Sequence, residues 1–158
     1  MQFVFSELLA ALPAFDVVLL DCPPNLYLCS WAAMLAADFA LIPVPPEDFG
    51  TQGLRAVHQA VDNARQLNPR LKLLGHVVTR CDARLTIHRH YEQKLREIYG
   101  SLVFDTVIPE ASAFKVAIAC RKPVSHFSPR TKAAVQCYAL SVEIDARIAG
   151  HALQQRVA

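Results

Sequence analysis

One carboxylate in this sequence follows an apolar run in a way that is typical of metal-binding residues. Asp21 closes the run of residues 15–22 and is followed by Pro23, Pro24 and Asn25. A carboxylate at the end of a buried strand costs desolvation energy unless a cation or hydrogen-bond donors compensate it. In nucleotide enzymes the compensating cation is commonly Mg²⁺, often held through water. The pattern therefore indicates a metal-binding aspartate, with an aspartate that caps the following helix as the alternative.

The elements that would position Asp21 alternate between apolar runs and amphipathic segments. We expect an α/β fold in three layers, α/β/α, with a mainly parallel sheet. The patterns predict strands at 15–22, 39–44, 71–79 and 102–108, and helices at 3–12, 26–37, 51–67, 86–99, 111–119 and 129–149. We expect Gly100 to cap the fourth of these helices. The sequence predicts one domain at 1–150 and a frayed tail at 151–158.

Ligands in such sheets bind outside the carboxyl ends of the strands. The ends that matter here are 21–25, 43–48, 79–84 and 109–113.

Six stretches, in order along the chain, carry a family resemblance. FDVVLLDCPPN, the helix ending in AAD and the strand ending in IPV come first, followed by GHVVTRCDAR, FDTVIP and KPVSHFSPRTKAAVQCYALSVEI. Together they resemble the ParA branch of the deviant-Walker P-loop ATPases, whose motifs include D-x-P-P, T-x-x-D-x-R and I-P. The resemblance covers roughly residues 2–146.

The resemblance implies ATP and Mg²⁺ as cofactors and assigns roles to individual residues. Asp21 would be the catalytic and metal-holding Walker B aspartate, and Pro23, Pro24 and Asn25 the switch that senses the γ-phosphate. Ile108 and Pro109 would lie near the adenine, and Thr79 with the residues up to Arg84 on the nucleotide or dimer face. It also implies a homodimer around two ATP molecules, nonspecific DNA binding and a centromere-binding ParB-like partner.

The glycines do not provide the family's phosphate-binding loop. The five glycines lie at 50, 53, 75, 100 and 150, and no two are adjacent. A phosphate cradle needs clustered glycines and a lysine. We therefore expect an N-terminally truncated P-loop-like fold that does not hydrolyse ATP alone. We also expect an unpaired strand edge, marginal stability as a monomer, or pairing with an intact paralogue.

The cationic residues offer a weak prediction of DNA contacts. Lys115, Arg121 and Lys122 are the candidates, with Arg80, Arg84, Arg89 and Arg130 elsewhere, because phosphate contacts need only cations on one face. Arg121 stands where the family usually has glycine. Ordinary solvated side chains are the alternative, and the net charge of +2 is too small to indicate DNA binding by itself.

The composition indicates where in the cell the protein is expected and in what state its cysteines are expected. No apolar run approaches the length of a bilayer span, which is about 18 residues or more. We therefore expect no membrane partner and a cytoplasmic, nucleoid-associated location. The five cysteines are expected to be reduced and, for the most part, buried. Three hypotheses stay open: a partition ATPase of plasmids or chromosomes, a module that binds DNA or a partner without hydrolysing ATP, and an inactive remnant.

Overall fold

The computed structural model describes residues 4–13, 15–47 and 51–157. They form two compact units. One contains the described residues up to Ala40 together with 51–73, and the other contains 41–47 and 74–157. Residue 3 of the first predicted helix, Asp48 of the second strand end and Ala158 of the predicted tail lie outside the described residues. The expectation of a single domain stays a prediction.

The α/β fold class predicted from the sequence is confirmed. The strands are β1 (Phe39–Val44), β2 (Lys72–Cys81) and β3 (Val103–Pro109), in the order β1-β2-β3. β2 and β3 run parallel, with His76 opposite Val103 and Cys81 opposite Pro109. The helices are α1 (Val4–Ala11), α2 (Leu28–Ala36), α3 (Thr51–Leu67), α4 (Thr86–Tyr99), α5 (Ser112–Ala119), α6 (Val124–Phe127) and α7 (Lys132–Val157).

The strand predicted at residues 15–22 does not form. These residues are irregular, and most of their apolar side chains are exposed, with Phe15 62% and Leu19 84% accessible. A buried parallel strand needs a neighbour for its backbone amides. No described residue forms a ladder with this segment, because the sheet consists of β1, β2 and β3 alone over the described ranges. The strand-like composition is therefore present without the pairing that would make it a strand.

The first unit packs helices around one apolar cluster. Leu35, Val61, Ala64 and Leu71 are buried, and Trp31 packs against them. Asn68, which is 6% exposed, closes the end of α2. Its side-chain amide donates hydrogen bonds to the carbonyls of Met34 (3.0 Å) and Ala37 (2.7 Å). A polar residue is thus buried because it satisfies carbonyls that a helix end leaves unpaired.

The second unit is centred on β2 and β3, with α7 packed along β3. Phe104 and Val78 are fully buried in this unit. α7 continues to Val157 instead of ending near residue 149. Gly100 follows α4 with φ of 52°, as expected for its capping role.

The cysteines are less buried than the sequence predicts. Cys22, Cys29 and Cys120 are exposed and only Cys81 is buried, so the expectation of buried cysteines is wrong, although all five are free thiols. Cys22 lies in the irregular segment 15–22. Cys29 lies in the first turn of α2, and Cys120 directly follows α5, both on the surface. Among the described residues, no helix is long and apolar enough to cross a membrane.

Candidate functional site

The segment around Asp21 is held by the helix that follows it. Asp21, Pro23, Pro24 and Asn25 are all exposed. The buried hydroxyl of Ser30 donates a hydrogen bond to the carbonyl of Asn25 at 2.6 Å and reaches that of Pro23 at 3.5 Å. The amide of Asn25 also donates to the carbonyl of Pro23 at 2.8 Å. The first turn of α2 therefore fixes the shape of this loop although residues 15–22 form no strand.

The residues around Asp21 fit a nucleotide–metal site only in part. Mg²⁺ is commonly bound through one or two carboxylates and water, with substrate phosphates completing the shell. Asp21 supplies one such carboxylate, but its exposure removes the desolvation argument made from the sequence. In the described part of the chain, no three His, Cys, Asp or Glu side chains gather as metal ligands. The sequence has no clustered glycines either, since no two of its five glycines are adjacent.

At the carboxyl end of β2 the backbone is distorted, and an ion-pair network surrounds it. Arg80 has φ of 55°, a left-handed conformation that is uncommon for a residue with a side chain. Its guanidinium contacts the carboxylate of Glu110 at 3.2 Å and that of Glu47 at 4.0 Å. Lys115 contacts the other oxygen of Glu110 at 3.4 Å. The hydrogen bond from Arg80 and the neighbouring Lys115 hold the pKa of Glu110 below its usual value, against an opposing effect of burial.

A second pair follows directly in the loop after β2. Arg84 donates to Asp82 from both its backbone amide (3.0 Å) and its guanidinium (2.7 and 2.9 Å). These hydrogen bonds lower the pKa of Asp82 to about 2. The amide of Asp82 in turn donates to Nδ1 of the buried His88 at 3.0 Å. The loop is thus held from two sides while the Arg84 side chain stays 89% exposed.

An open cavity of about 530 Å³ lies beside these two pairs. It is lined by three cationic side chains, Arg84, Lys115 and Lys132, and by Glu110. The remaining lining comes from the starts of two helices, residues 111–113 at α5 and Thr131 and Ala133 at α7. The first amides of a helix have no intrahelical acceptor and carry partial positive charge. The cavity therefore favours an anion.

The structure separates the residues proposed for DNA contact. Lys115 lines the cavity, whereas Arg121 and Lys122 lie at the other end of α5, both exposed. Thr79, Ile108 and Pro109 are half-buried at the ends of β2 and β3 in the second unit. Asp21 and its loop belong to the first unit.

Sequence reasoning missed three residues. Ser30 anchors the Asp21 loop, and Thr131 and Lys132 line the cavity. The sequence did contain a signal for Lys132, because this lysine stands at the start of the last helix. In the structure, the hydroxyl of the neighbouring Thr131 accepts a hydrogen bond from the amide of Ala134 at 3.3 Å. A hydroxyl at a helix start is the usual capping pattern.

Comparison with known proteins places these features in a family. A family model described as an AAA domain matches residues 2–73. The chromosome-partitioning ATPase Soj of Thermus thermophilus is 34% identical over 135 residues, which covers 85% of this chain and 54% of Soj. The chain spans about half the length of the curated relatives it matches.

Solved structures agree with the sequence relatives. The cell division ATPase MinD of Pyrococcus furiosus superposes with a TM-score of 0.73 at 25% identity, over 92% of this chain and 59% of MinD. Cobyrinic acid a,c-diamide synthase of Mycobacterium smegmatis, with a bound ATP analog and magnesium, gives 0.64 at 31% identity, over 70% of this chain and 45% of that one. By its sequence relatives and its fold, the chain belongs to the ParA/Soj-type family of P-loop ATPases.

Proposed function

We propose that this chain serves DNA partition as a ParA-family module that binds DNA phosphates and does not hydrolyse ATP by itself. The observation that carries the proposal is the cavity lined by Arg84, Lys115 and Lys132 at the starts of α5 and α7. Phosphate contacts need cationic side chains and amide donors on one surface and no base-specific geometry.

The balance of charge in the cavity favours this ligand. Glu110 is the one carboxylate among the described lining residues, and Arg80 and Lys115 both contact that carboxylate. Arg84 is oriented by Asp82 but remains largely exposed, so its outer face is available to an anion. Lys132 is exposed, and the ion pairs found in the described ranges do not include it. The site thus keeps net positive charge.

The sequence supports the second half of the proposal. Hydrolysis in this class depends on backbone amides and a lysine that cradle the β- and γ-phosphates. None of the five glycines in the 158 residues is next to another, so no such loop is present among them. Asp21 alone provides no cradle for phosphate.

The proposal is tested by measuring the affinity of the chain for random-sequence duplex DNA without nucleotide, over a series of salt concentrations. We expect affinity to fall with salt, because DNA binding releases counterions. Lys132→Glu should weaken binding on every sequence and reduce the magnitude of the salt slope by about one for each lost phosphate contact. A glutamate in the first turn of α7 suits the helix dipole, so the fold should survive.

The matched control is Lys94→Glu, which makes the same charge change on the exposed face of α4, outside the cavity. Equal losses for the two variants would mean that net charge, and not the cavity, drives binding. An affinity that does not change with salt would also contradict the proposal.

A second candidate is favoured by the Asp21 loop. Ser30 keeps the loop between Pro23 and Asn25 in a defined shape, although residues 15–22 form no strand. The chain could therefore supply the metal and switch half of an ATP site that an intact relative completes. In that role we propose ATP with Mg²⁺, a homologous chain and a ParB-like protein as partners, at the nucleoid in the cytoplasm.

A further inference from the structure

The side chain of His88 holds the loop that carries Arg84 to the cavity. α4 begins at Thr86, and its N-cap residue, Leu85, has no side-chain acceptor for the amides of the first turn. His88, the third residue of the helix, reaches back instead, and its Nδ1 accepts a hydrogen bond from the amide of Asp82 at 3.0 Å. In the capping box, the residue at this helix position likewise accepts a backbone amide from before the first turn. His88 is only 7% exposed, so the contact is shielded from water.

Asp82 links His88 to Arg84. Its carboxylate accepts hydrogen bonds from both the backbone amide and the guanidinium of Arg84. Its carbonyl accepts the amide of Leu85 at 3.0 Å, which closes residues 82–85 into a turn. The Arg84 side chain lines the cavity. A displacement of Asp82 would therefore move Arg84 relative to the cavity.

The same contact fixes the protonation state of the imidazole. A backbone amide can only donate, so Nδ1 of His88 must carry a lone pair and the neutral ring must carry its proton on Nε2. A second proton would turn Nδ1 into a donor that faces the amide of Asp82 at 3.0 Å. The ring is buried and has little room to turn away. Protonation of His88 would thus break the contact and leave the amide without its acceptor.

Charged groups of the loop and of three neighbouring elements surround this position: Asp82 and Arg84 of the loop, Glu92 and Arg96 of α4, Asp105 of β3 and Lys132 of α7. The carboxylate of Asp82 acts directly on His88, and Glu92 lies one helical turn away, so both attract an imidazolium. Arg96 pairs with Glu92 at 2.9 Å. Because the carboxylate on α4 would hold a charged ring in place, protonation is expected to displace the loop and not the helix.

Lys132 is the cation of α7 nearest to this loop. Burial raises the pKa of the Cys81 thiol, Glu92 and Asp82 raise it further, and Lys132 lowers it. The start of α7 thus lies close to the residue that precedes Asp82. A loop released from His88 would therefore move beside Lys132, at the cavity itself.

We propose that the neutral imidazole of His88 positions Arg84 at the cavity, and that protonation of this imidazole releases residues 82–85. The contact is present while the ring is neutral and is lost as the pH falls through the titration of His88. The effect on DNA rests on the proposed function, because it requires Arg84 to contact phosphate. The contact between His88 and Asp82 does not, so it can be tested without a ligand.

NMR of the ¹⁵N-labelled chain, without DNA, tests the contact as the pH is lowered. We expect the neutral ring of His88 to show an unprotonated Nδ1 and a proton on Nε2. The signals of the Asp82 amide and of Nε–H of Arg84 should shift with the same midpoint as the ring. Protection of the Asp82 amide against hydrogen exchange should fall about tenfold through this titration, because one hydrogen bond is lost. A neutral ring protonated on Nδ1, or protection that does not change, would overturn the proposal.

Two variants of His88 separate the hydrogen bond from its titration. His88→Asn places an acceptor oxygen two bonds from Cβ, where Nδ1 stands, and cannot titrate, so protection of the Asp82 amide should persist at every pH at which the protein is folded. His88→Leu fills a similar volume without an acceptor, and protection should be absent throughout. The matched control, His90→Leu, makes the same change at an exposed position of α4 and should behave as wild type. Circular dichroism verifies each fold. Protection that survives His88→Leu would contradict the role of His88.

Binding to random-sequence duplex DNA measures the consequence for the cavity. His88→Leu should weaken binding by no more than Arg84→Ala does, and should add nothing to the loss in Arg84→Ala. Each should reduce the magnitude of the salt slope by about one. The ratio of wild-type affinity to that of His88→Asn should fall with pH, since the other histidines are common to both proteins.

The outcomes distinguish this inference from the proposed function. Additive losses for His88→Leu and Arg84→Ala would mean that His88 does not act through Arg84, and would overturn its positioning role. A ratio of affinities that stays constant with pH would contradict the dependence on protonation. If the wild-type chain does not bind DNA at all, the proposed function fails, and the NMR measurements alone decide whether His88 holds the loop.

Discussion

At the scale of single residues, the turn after α5 holds an arginine in a conformation that suits glycine. Arg121 has φ of 51°, and the turn is closed by hydrogen bonds from its amide to the carbonyl of Ile118 and from that of Lys122 to the carbonyl of Ala117, both 3.0 Å. This is the usual helix-ending motif, in which a glycine avoids the clash of Cβ with the backbone. The resemblance also indicates glycine at this position, so the sequence pattern and the backbone agree.

Arg121→Gly should stabilise the protein by about 0.5–1 kcal/mol, because the relief of left-handed strain exceeds the added entropy of the unfolded chain. Urea unfolding measures the change. Arg121→Ala removes the same side-chain functions but keeps Cβ, and should therefore give no gain. If glycine instead destabilises the protein, the arginine side chain makes a contact that outweighs the strain.

At the scale of elements, side chains of α7 supply hydrogen-bond partners to the backbone of β3 and of the residues just before it, as a further strand would. The carboxylate of Glu143 accepts the amides of Asp105 and Thr106 at 2.9 Å each, and Arg147 donates to the carbonyls of Ser101 (2.9 Å) and Val103 (3.0 Å). An edge strand is thereby protected from pairing with other chains.

Gly75 is part of the same arrangement. The Arg147 guanidinium lies 3.9 Å from the centre of the Phe104 ring. Gly75 has φ of 145°, and a Cβ there would collide with the carbonyl oxygen of Leu102 and approach Phe104 and Arg147. β2 therefore requires glycine at this point for β3 and α7 to come this close.

Glu143→Gln should destabilise the protein by about 1–3 kcal/mol at neutral pH, because it removes charge from a largely buried hydrogen-bond acceptor. Burial opposes ionisation of Glu143, but the hydrogen bonds from Thr106, Asp105 and Arg147 hold its pKa below the ordinary 4.5. A depressed pKa in the folded state stabilises the protein above pH 4.5, and this stabilisation is lost as the pH falls through the folded value.

The measurement is urea unfolding of wild type and Glu143→Gln at neutral and acid pH. The difference between them should shrink below pH 4.5. Glu97→Gln, on the exposed face of α4, is the matched control and should show neither effect. A difference between wild type and variant that stays constant with pH would mean that the carboxylate is not the stabilising group.

At the scale of the whole molecule, the chain spans about half the length of its curated relatives. Residues 15–22 keep the composition of a buried strand yet lie exposed, and Asp21 at their end is solvated. No two of the five glycines in the 158 residues are adjacent, so the sequence has no glycine cluster of the kind that cradles phosphate.

Calorimetry with ATP and Mg²⁺ on this chain should show no tight binding, and Asp21→Ala should give the same result as wild type. The reason is that one exposed carboxylate cannot hold a metal–nucleotide complex without a phosphate cradle. Tight, magnesium-dependent binding that Asp21→Ala abolishes would show that the chain forms an ATP site by itself. It would also contradict the second candidate function, in which an intact relative must complete the ATP site.

The sequence alone determined the α/β class, the bounds of β1 and α3 and the family, because local periodicity and contiguous motifs are properties of neighbouring residues. It also led us to predict a strand at 15–22, where composition was right but no partner strand exists in the described chain. Only the tertiary structure brought Arg84, Lys115 and Lys132 to one cavity and placed Ser30 under the Asp21 loop. Residues far apart in sequence meet only when helices and strands pack, and strand pairing is likewise a nonlocal contact that no single segment encodes.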